Sequence, residues 1–274
     1  MKALIVLLAL LFCCISYAEK TYDIEATGDH SVWVIVNDIK SMFIKDTGLS
    51  FNLIPELAIV GKGCEKGISL AAKGKNDREF GMICCKLNDA TIGNHGLKIY
   101  PFALEPLAII VNKKNPVKGL TLAQIKDIFA GKITNWKDVG GHNDKIVVAA
   151  QLHCPLHEAN WTKILSRAER FTKNRINIKT QPEMAKTVSD FKQAVGHLEM
   201  TSVKESKDKV KVLAVDGYLP TSENMEKGLY PLFATLSITT KGDASGNVVT
   251  FIEYIKTNSK VREAMKKYGM SQIK

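Results

Sequence analysis

The chain has 274 residues, 45% of them hydrophobic, a formal net charge of +10 and six cysteines. That length supports one large domain or two lobes with proper cores. The lysines are scattered and no nucleic-acid-binding motif accompanies them, which argues against nucleic acid as a partner and leaves a basic surface suited to steering a small anion.

Residues 1–18 read as a secretory signal: Lys2, an apolar run over residues 3–11, and Ser16-Tyr17-Ala18 ahead of Glu19. Cleavage after Ala18 leaves 256 residues (274 minus 18) and, with Lys2 removed, a charge of +9. The mature chain is therefore expected in the periplasm or otherwise exported. No second apolar run of spanning length follows, which argues against a transmembrane protein. Phe12 stands where a small residue precedes a lipidated cysteine, so Cys13 and Cys14 do not read as a lipoprotein signal.

Beyond the signal, apolar runs rich in β-branched residues alternate with helical patterns, which predicts an α/β fold with largely parallel sheets. Expected strands cover residues 21–26, 50–53, 80–84, 97–101, 107–112, 146–150, 176–180, 210–215 and 232–239. Expected helices cover residues 32–47, 65–73, 122–130, 157–172, 183–194, 222–228, 248–256 and 259–268. The clearest is the third: Thr121 and Gln124 form a capping box, Leu122, Ile125, Ile128 and Phe129 make one apolar stripe, and Gly131 closes it. The lysine-rich residues 204–211 read as a solvated loop.

In open α/β sheets a ligand sits beyond the carboxyl ends of the strands, where loops enter helix N-termini with free N–H groups and positive partial charge. Four loops qualify: Thr27-Gly28-Asp29-His30-Ser31, the glycine-rich run from Val60 to Glu65, the run from Phe80 to Leu87, and Gln151 to His157. All four cysteines of the mature chain, Cys64, Cys84, Cys85 and Cys154, fall in these loops, together with His30, His153 and His157. Thiolate and imidazole suit zinc, copper and iron, so Cys64, Cys84, Cys85, Cys154, His30 and His157 form a candidate set for a transition metal or a haem-type cofactor. No C-x-x-C-H is present, which excludes a standard covalent c-type haem. An exported protein also forms disulfides, with Cys64 placed to join Cys84 or Cys85, and the sequence leaves both readings open.

The remaining histidines read as bystanders, His95 and His142 in turn sequences and His197 after Ala194-Val195-Gly196. Trp33, Trp136 and Trp161 read as packing residues. There is no G-x-S-x-G, H-E-x-x-H or P-loop, and Cys154 with His153 or His157 lacks an orienting group, so no enzymatic activity is expected.

The segment LTLAQIKDIFAGKITNWKDVGG, residues 120–141, resembles the start of the second lobe in phosphate-type periplasmic solute-binding proteins of ABC importers. EPLAIIVNKKNPVKGLTLAQI is similar to that family's crossing strand, GLYPLFATLSITTKG to its return strand, and VKVLAVDGYLPTSENMEKGLYPL to the segment leading into the return. The resemblance covers nearly the whole mature chain. It implies a bilobal type II binding-protein fold, with residues 19–105 plus 230–274 as lobe 1 and residues 106–229 as lobe 2. It further implies a monomer that closes on a small molecule or ion and works with an ABC permease.

By the same resemblance the ligand-binding positions are Gly28, Asp29, His30, Ser31, Gly61, Gly63, Cys64, Cys84, Cys85, Gln151, Cys154 and His157. The family's usual wording changes at those positions. Asp29 and His30 interrupt its GSGS, Cys84 and Cys85 fall on the serine and arginine of its SRPL, and Gln151 falls on its arginine. Cys154-Pro155-Leu156-His157 falls on its GSGT, where Pro155 has no N–H to donate. A bidentate guanidinium normally gives oxyanion sites their strength. The expected ligand is therefore either an oxyanion other than tightly held phosphate or a transition metal, with a degenerate member that binds a partner protein as a third reading.

Overall fold

The computed structural model describes residues 21–55, 63–154 and 157–273. The expected signal segment, Gly61 and Pro155 lie outside them.

β1 (Ile24–Gly28) runs into α1 (His30–Thr47), whose first turn is fixed by the Asp29 carboxylate accepting the Val32 N–H at 3.2 Å. β2 (Phe51–Leu53), α2 (Gly63–Ala71), β3 (Glu79–Ile83) and α3 (Asp89–His95) complete the first stretch. β4 (Leu97–Asn112) is followed by the short β5 (Gly119–Leu120) and by α4 (Leu122–Ala130), which carries the expected capping box in full. Next come β6 (Val147–Ala150), β7 (Arg175–Asn177), α5 (Gln181–Asp190), β8 (Ala194–Glu199) and α6 (Met200–Glu205). β9 (Val210–Val212), β10 (Ala214–Val215), α7 (Ser222–Glu226), β11 (Phe233–Lys241), α8 (Gly246–Thr257), α9 (Ser259–Lys266) and β12 (Ser271–Gln272) close the chain.

The main sheet runs β2-β1-β3-β11-β4-β8-β6-β7, with β9 and β12 also paired to β4, while β5 and β10 form a separate pair. β1 is parallel to β2 and β3, and β6 is parallel to β7 and β8. β4 joins these two parallel groups. Its first half pairs antiparallel with β11 and β12, its second half with β8 and β9.

Several expectations differ from the structure: the sheet is mixed and not largely parallel, and the strand expected at residues 210–215 is two, β9 paired with β4 and β10 with β5. The two strands expected at residues 97–101 and 107–112 are one, because Pro101 is met by a register shift in β11 between Leu236 and Ser237 instead of ending the strand. The helix expected at residues 157–172 is two 3-10 turns, Asn160–Lys163 and Ala168–Arg170. The buried residues Trp161 and Ile164 keep an i, i+3 spacing that a 3-10 turn also satisfies, and the Trp161 indole is tied to the His153 carbonyl at 2.7 Å. The helix expected to reach residue 194 stops at Asp190, and β8 takes Ala194–Glu199. All six residues of β8 are buried, so the strand shows no alternation to read.

The larger core surrounds an aromatic group from both chain ends, in which Phe43, Phe51 and Phe80 all meet Phe251 at centroid distances of 5.1 Å. A smaller core packs Met184 and Val188 of α5 against Ala149 and Leu198 of the sheet. Among the described residues no helix is long and apolar enough to cross a membrane.

α2 lies so close to β3 that a Cβ on Gly81 falls 2.0 Å from the Gly67 carbonyl oxygen, whereas a Cβ on Gly93 in α3 meets nothing within 4 Å. Gly81→Ala is expected to destabilise by about 1–3 kcal/mol or more, because backbone has to move. Gly93→Ala is expected to stabilise by about 0.5–1 kcal/mol through helix entropy. Urea unfolding of both variants checks the pair; equal effects would contradict the close approach of α2 to β3.

Candidate functional site

The starts of four helices border one cleft of about 520 Å³: Asp29 and His30 at α1, Gly63 and Cys64 at α2, Thr180 and Gln181 at α5, Glu199 and Ser202 at α6. Cys84, Gln151, His153 and Cys154 close it from the loops after β3 and β6, and Lys179, Lys209 and Glu205 supply its outer charges. Of the positions expected from sequence, Asp29, His30, Gly63, Cys64, Cys84, Gln151 and Cys154 line this space.

The others sit behind it or beside it. Gly28 ends β1, where a Cβ would lie 2.1 Å from the Met82 carbonyl oxygen, so its role is to let β1 and β3 approach. Ser31 is buried and its hydroxyl meets the Thr201 hydroxyl at 3.1 Å. Cys85 is buried against Cys64. His157 opens no α-helix; its N–H donates to the Cys154 carbonyl at 3.0 Å. Gly61 lies outside the described residues.

The four thiols converge. The sulfur of Cys64 is 3.7 Å from that of Cys84 and 3.5 Å from that of Cys85, and Cys84 and Cys85 are 3.9 Å apart. Cys154 and His153 place ligand atoms within 4.8 Å of each other and of Cys85. None of the four cysteines is in a disulfide. Of the histidines expected beside the thiols, His30 instead faces Glu205, Nε2 to Oε2 at 2.8 Å.

Proximity divides the charge unequally. The Cys154, Cys84 and Cys85 thiols all turn toward Cys64, which lowers its pKa well below the usual thiol value. Its position in the first turn of α2 acts in the same direction. Donating to Cys64 holds the Cys84 and Cys154 thiols well above that value, and the contact with Cys154 does the same for Cys85. Burial, and then the charge of Cys64, raises the Asp29 carboxyl. Of the four thiols, Cys64 is thus the one whose anion its neighbours favour.

Under the cleft, Glu105 in the middle of β4 accepts the Thr201 N–H at 3.1 Å and the Thr201 hydroxyl at 2.7 Å. Its other oxygen is buried and has no partner. Glu199 accepts from the Asn160 and Gln181 amides. His197 is fully enclosed, and burial pushes it down to about 3, so it stays neutral and its Nε2 accepts the Gln151 N–H at 3.3 Å.

Sequence reasoning missed Lys179, Gln181, Glu199, Ser202, Glu205 and Lys209. The Thr180-Gln181-Pro182 helix start is a readable signal for the α5 corner, with Thr180 as its cap and proline in the first turn. The α6 corner follows a strand that sequence does not reveal. Residues 204–211, read as a solvated loop, in fact present Glu205 and Lys209 to the cleft.

A family model described as a PBP superfamily domain matches residues 16–259. The chain belongs to the PBP superfamily. The phosphate-binding protein PstS of Bacillus subtilis is 31% identical over 159 residues, 57% of this chain and 51% of that protein, so the match spans about half the length of the relative. A substrate-binding protein from Clostridium perfringens solved with bound phosphate superposes with a TM-score of 0.74 at 26% identity, covering 92% of this chain and 99% of that one. An ABC-type phosphate transport receptor from Vibrio cholerae gives a TM-score of 0.65 at 25% identity over 90% and 99% of the two chains. The fold of this superfamily member is accordingly bilobal, with the mixed sheet curling through both lobes.

Glu105 makes the connection between the two halves pH-sensitive. Burial, then the charge of Glu199, raises its carboxyl from the ordinary 4.5 to about 7. The folded state holds this proton more tightly than the unfolded chain, so the stabilisation is full below the unfolded value and is lost as pH rises through the folded one. Relative to Glu105→Gln, the wild type is expected to lose up to about 3 kcal/mol across that window. Urea unfolding at a series of pH values measures it, and a pH-independent difference would refute the raised carboxyl.

Proposed function

We propose that this chain is an exported, non-enzymatic solute-binding protein that works as a monomer, closes two lobes on one small oxyanion-bearing solute and presents it to an ABC permease. The lobes are residues 19–105 with 230–274, and residues 106–229. The observation that carries this reading is the meeting of four helix starts at one cleft, on a scaffold matched over nearly its full length by a phosphate-loaded neighbour. Helix starts carry positive partial charge, and Lys179 and Lys209 add to it at the α5 side, which is what an oxyanion needs.

The named relatives are phosphate-binding proteins, yet the residues of this cleft favour a different anion. Gln151 brings no charge, and its side-chain amide is already donated to the Lys179 carbonyl at 3.2 Å. Among the described residues Glu199 and Glu205, with the raised Asp29 carboxyl beside them, line the space against two lysines, Lys179 and Lys209. A dianion meets repulsion there that a singly charged ligand with donors of its own does not. The volume falls within the roughly 300–1,000 Å³ typical of organic ligands. The ligand class is therefore a small organic oxyanion of low charge.

Inorganic phosphate is expected to bind weakly or not at all. Lacking a buried charged donor costs on the order of 2–5 kcal/mol, roughly thirty- to several-thousand-fold in affinity. Titration calorimetry checks this, and a submicromolar phosphate constant would overturn it. In a thermal-shift panel of phosphate monoesters, phosphonates and small carboxylates, at least one compound is expected to raise the melting temperature, and Lys209→Ala to remove the shift. A panel without any response sinks the ligand class.

A further inference from the structure

We propose that Cys64, Cys84, Cys85 and Cys154 form a tetrahedral thiolate site for one thiophilic d10 ion, zinc(II) or copper(I), at the floor of the cleft. The inference stands apart from the solute-binding reading, since no anion enters it.

The geometry carries it. A metal with sulfur ligands at about 2.3 Å in a tetrahedron holds those sulfurs about 3.8 Å from one another. The sulfurs of Cys64, Cys84 and Cys85 stand 3.5, 3.7 and 3.9 Å apart, a nearly equilateral triangle with the edge of such a tetrahedron. A disulfide uses two sulfurs and gives no reason for a third at equal distance. All three are buried, and each comes from a different backbone position: the first turn of α2 and two consecutive residues after β3. Consecutive residues in a strand point to opposite faces, so bringing both Cys84 and Cys85 to one sulfur requires the chain to turn directly after β3.

Cys154 completes the set from the other half of the sheet. It follows β6, stands next to Cys85, and is held at φ +50, a left-handed conformation that L side chains seldom adopt. Such strain persists only where the surroundings hold it, and it clusters at binding sites. His153 adds a second observation: its Nδ1 is buried beside these thiols and lacks a partner in a group of ligand atoms that includes Cys85 and Cys154. A sulfur-only tetrahedron is a preference of zinc, and soft thiolates also select copper(I), whereas oxygen-seeking cations prefer sets of carboxylate and carbonyl oxygens.

Binding replaces S–H bonds by S–metal bonds and releases those protons to solvent, with no change of oxidation state. Because three ligands lie in one half of the sheet and one in the other, the ion also ties the β6 loop to the β1–β3 group.

The test uses the mature chain, purified and reduced, with cobalt(II) as the spectroscopic probe. One equivalent is expected to give intense thiolate-to-cobalt charge transfer and tetrahedral ligand-field bands, zinc(II) to displace it one for one, and four thiols to become unreactive toward a disulfide reagent. Cys154→Ser, at a partly buried position on the margin of the larger core, is expected to lower zinc affinity by more than the roughly 10- to 100-fold commanded by outer-shell partners. Cys84→Ser serves as the second variant, and circular dichroism verifies that each folds. A six-coordinate cobalt spectrum, an unchanged spectrum in Cys154→Ser, or disulfides that persist in place of metal after mild reduction would each overturn the site. The thermal-shift panel of organic oxyanions, run on the metal-free protein, reports on the solute-binding reading separately.

Discussion

One strand that belongs to both halves of the sheet sets the position of everything else in this molecule. β4 is sixteen residues long, and its pairing partners change along its length from β11 and β12 to β8 and β9. Two groups of parallel strands therefore face each other with their carboxyl ends toward a common space. Loops that leave those ends have to meet there, whatever residues they carry. The change of partners occurs near Glu105, Pro106 and Leu107. Here proline supplies no N–H, the Leu107 carbonyl takes the Tyr230 hydroxyl at 2.9 Å, and the Glu105 carboxyl holds the first residues of α6. The junction is thus made of side-chain hydrogen bonds as well as ladder bonds.

This junction also shows why part of the fold was legible in the sequence. α4 could be read to the residue because a capping box, an apolar stripe and a closing glycine agree, and each acts within its own segment. β4 could be read only in halves, because two prolines look like strand ends until the register shift in β11 is seen opposite Pro101. β8 could not be read, since it is covered on both faces and carries Gly196, whose missing side chain leaves room for the Met184 sulfur that a Cβ would approach to 2.5 Å. Losing β8 also hid α6, and with it Glu199, Ser202 and Glu205 in the cleft.

The candidate site divides along the same line. Residues in or beside the loops between strands and helices, such as Asp29, Cys64, Cys84, Gln151 and Cys154, were accessible because topology alone brings them to the cleft. Which of them touch was not. Nothing in the spacing of Cys64, Cys84 and Cys85 states that their sulfurs stand at 3.5–3.9 Å, or that His30 is turned to Glu205 and not to them. Those contacts depend on the close approach of α2 to β3 that Gly67 and Gly81 permit.

Close approach also explains why an ordinary anion site cannot simply be assumed here. The free N–H groups at the start of α1 are already engaged, since the Asp29 carboxylate accepts from Val32. The start of α2 carries Cys64, whose pKa its neighbours depress. Three of the four helix starts thus carry an acidic group of the protein itself, Asp29, Cys64 and Glu199, where a ligand anion would otherwise be attracted. What remains electropositive is the opposite side, at the start of α5 with Lys179 and, further out, Lys209. Burial, and then the Cys64 charge, raises the Asp29 carboxyl, which works against a full negative charge at this helix start. A cation placed among the sulfurs would make the thiol side of the cleft less hostile to an anion.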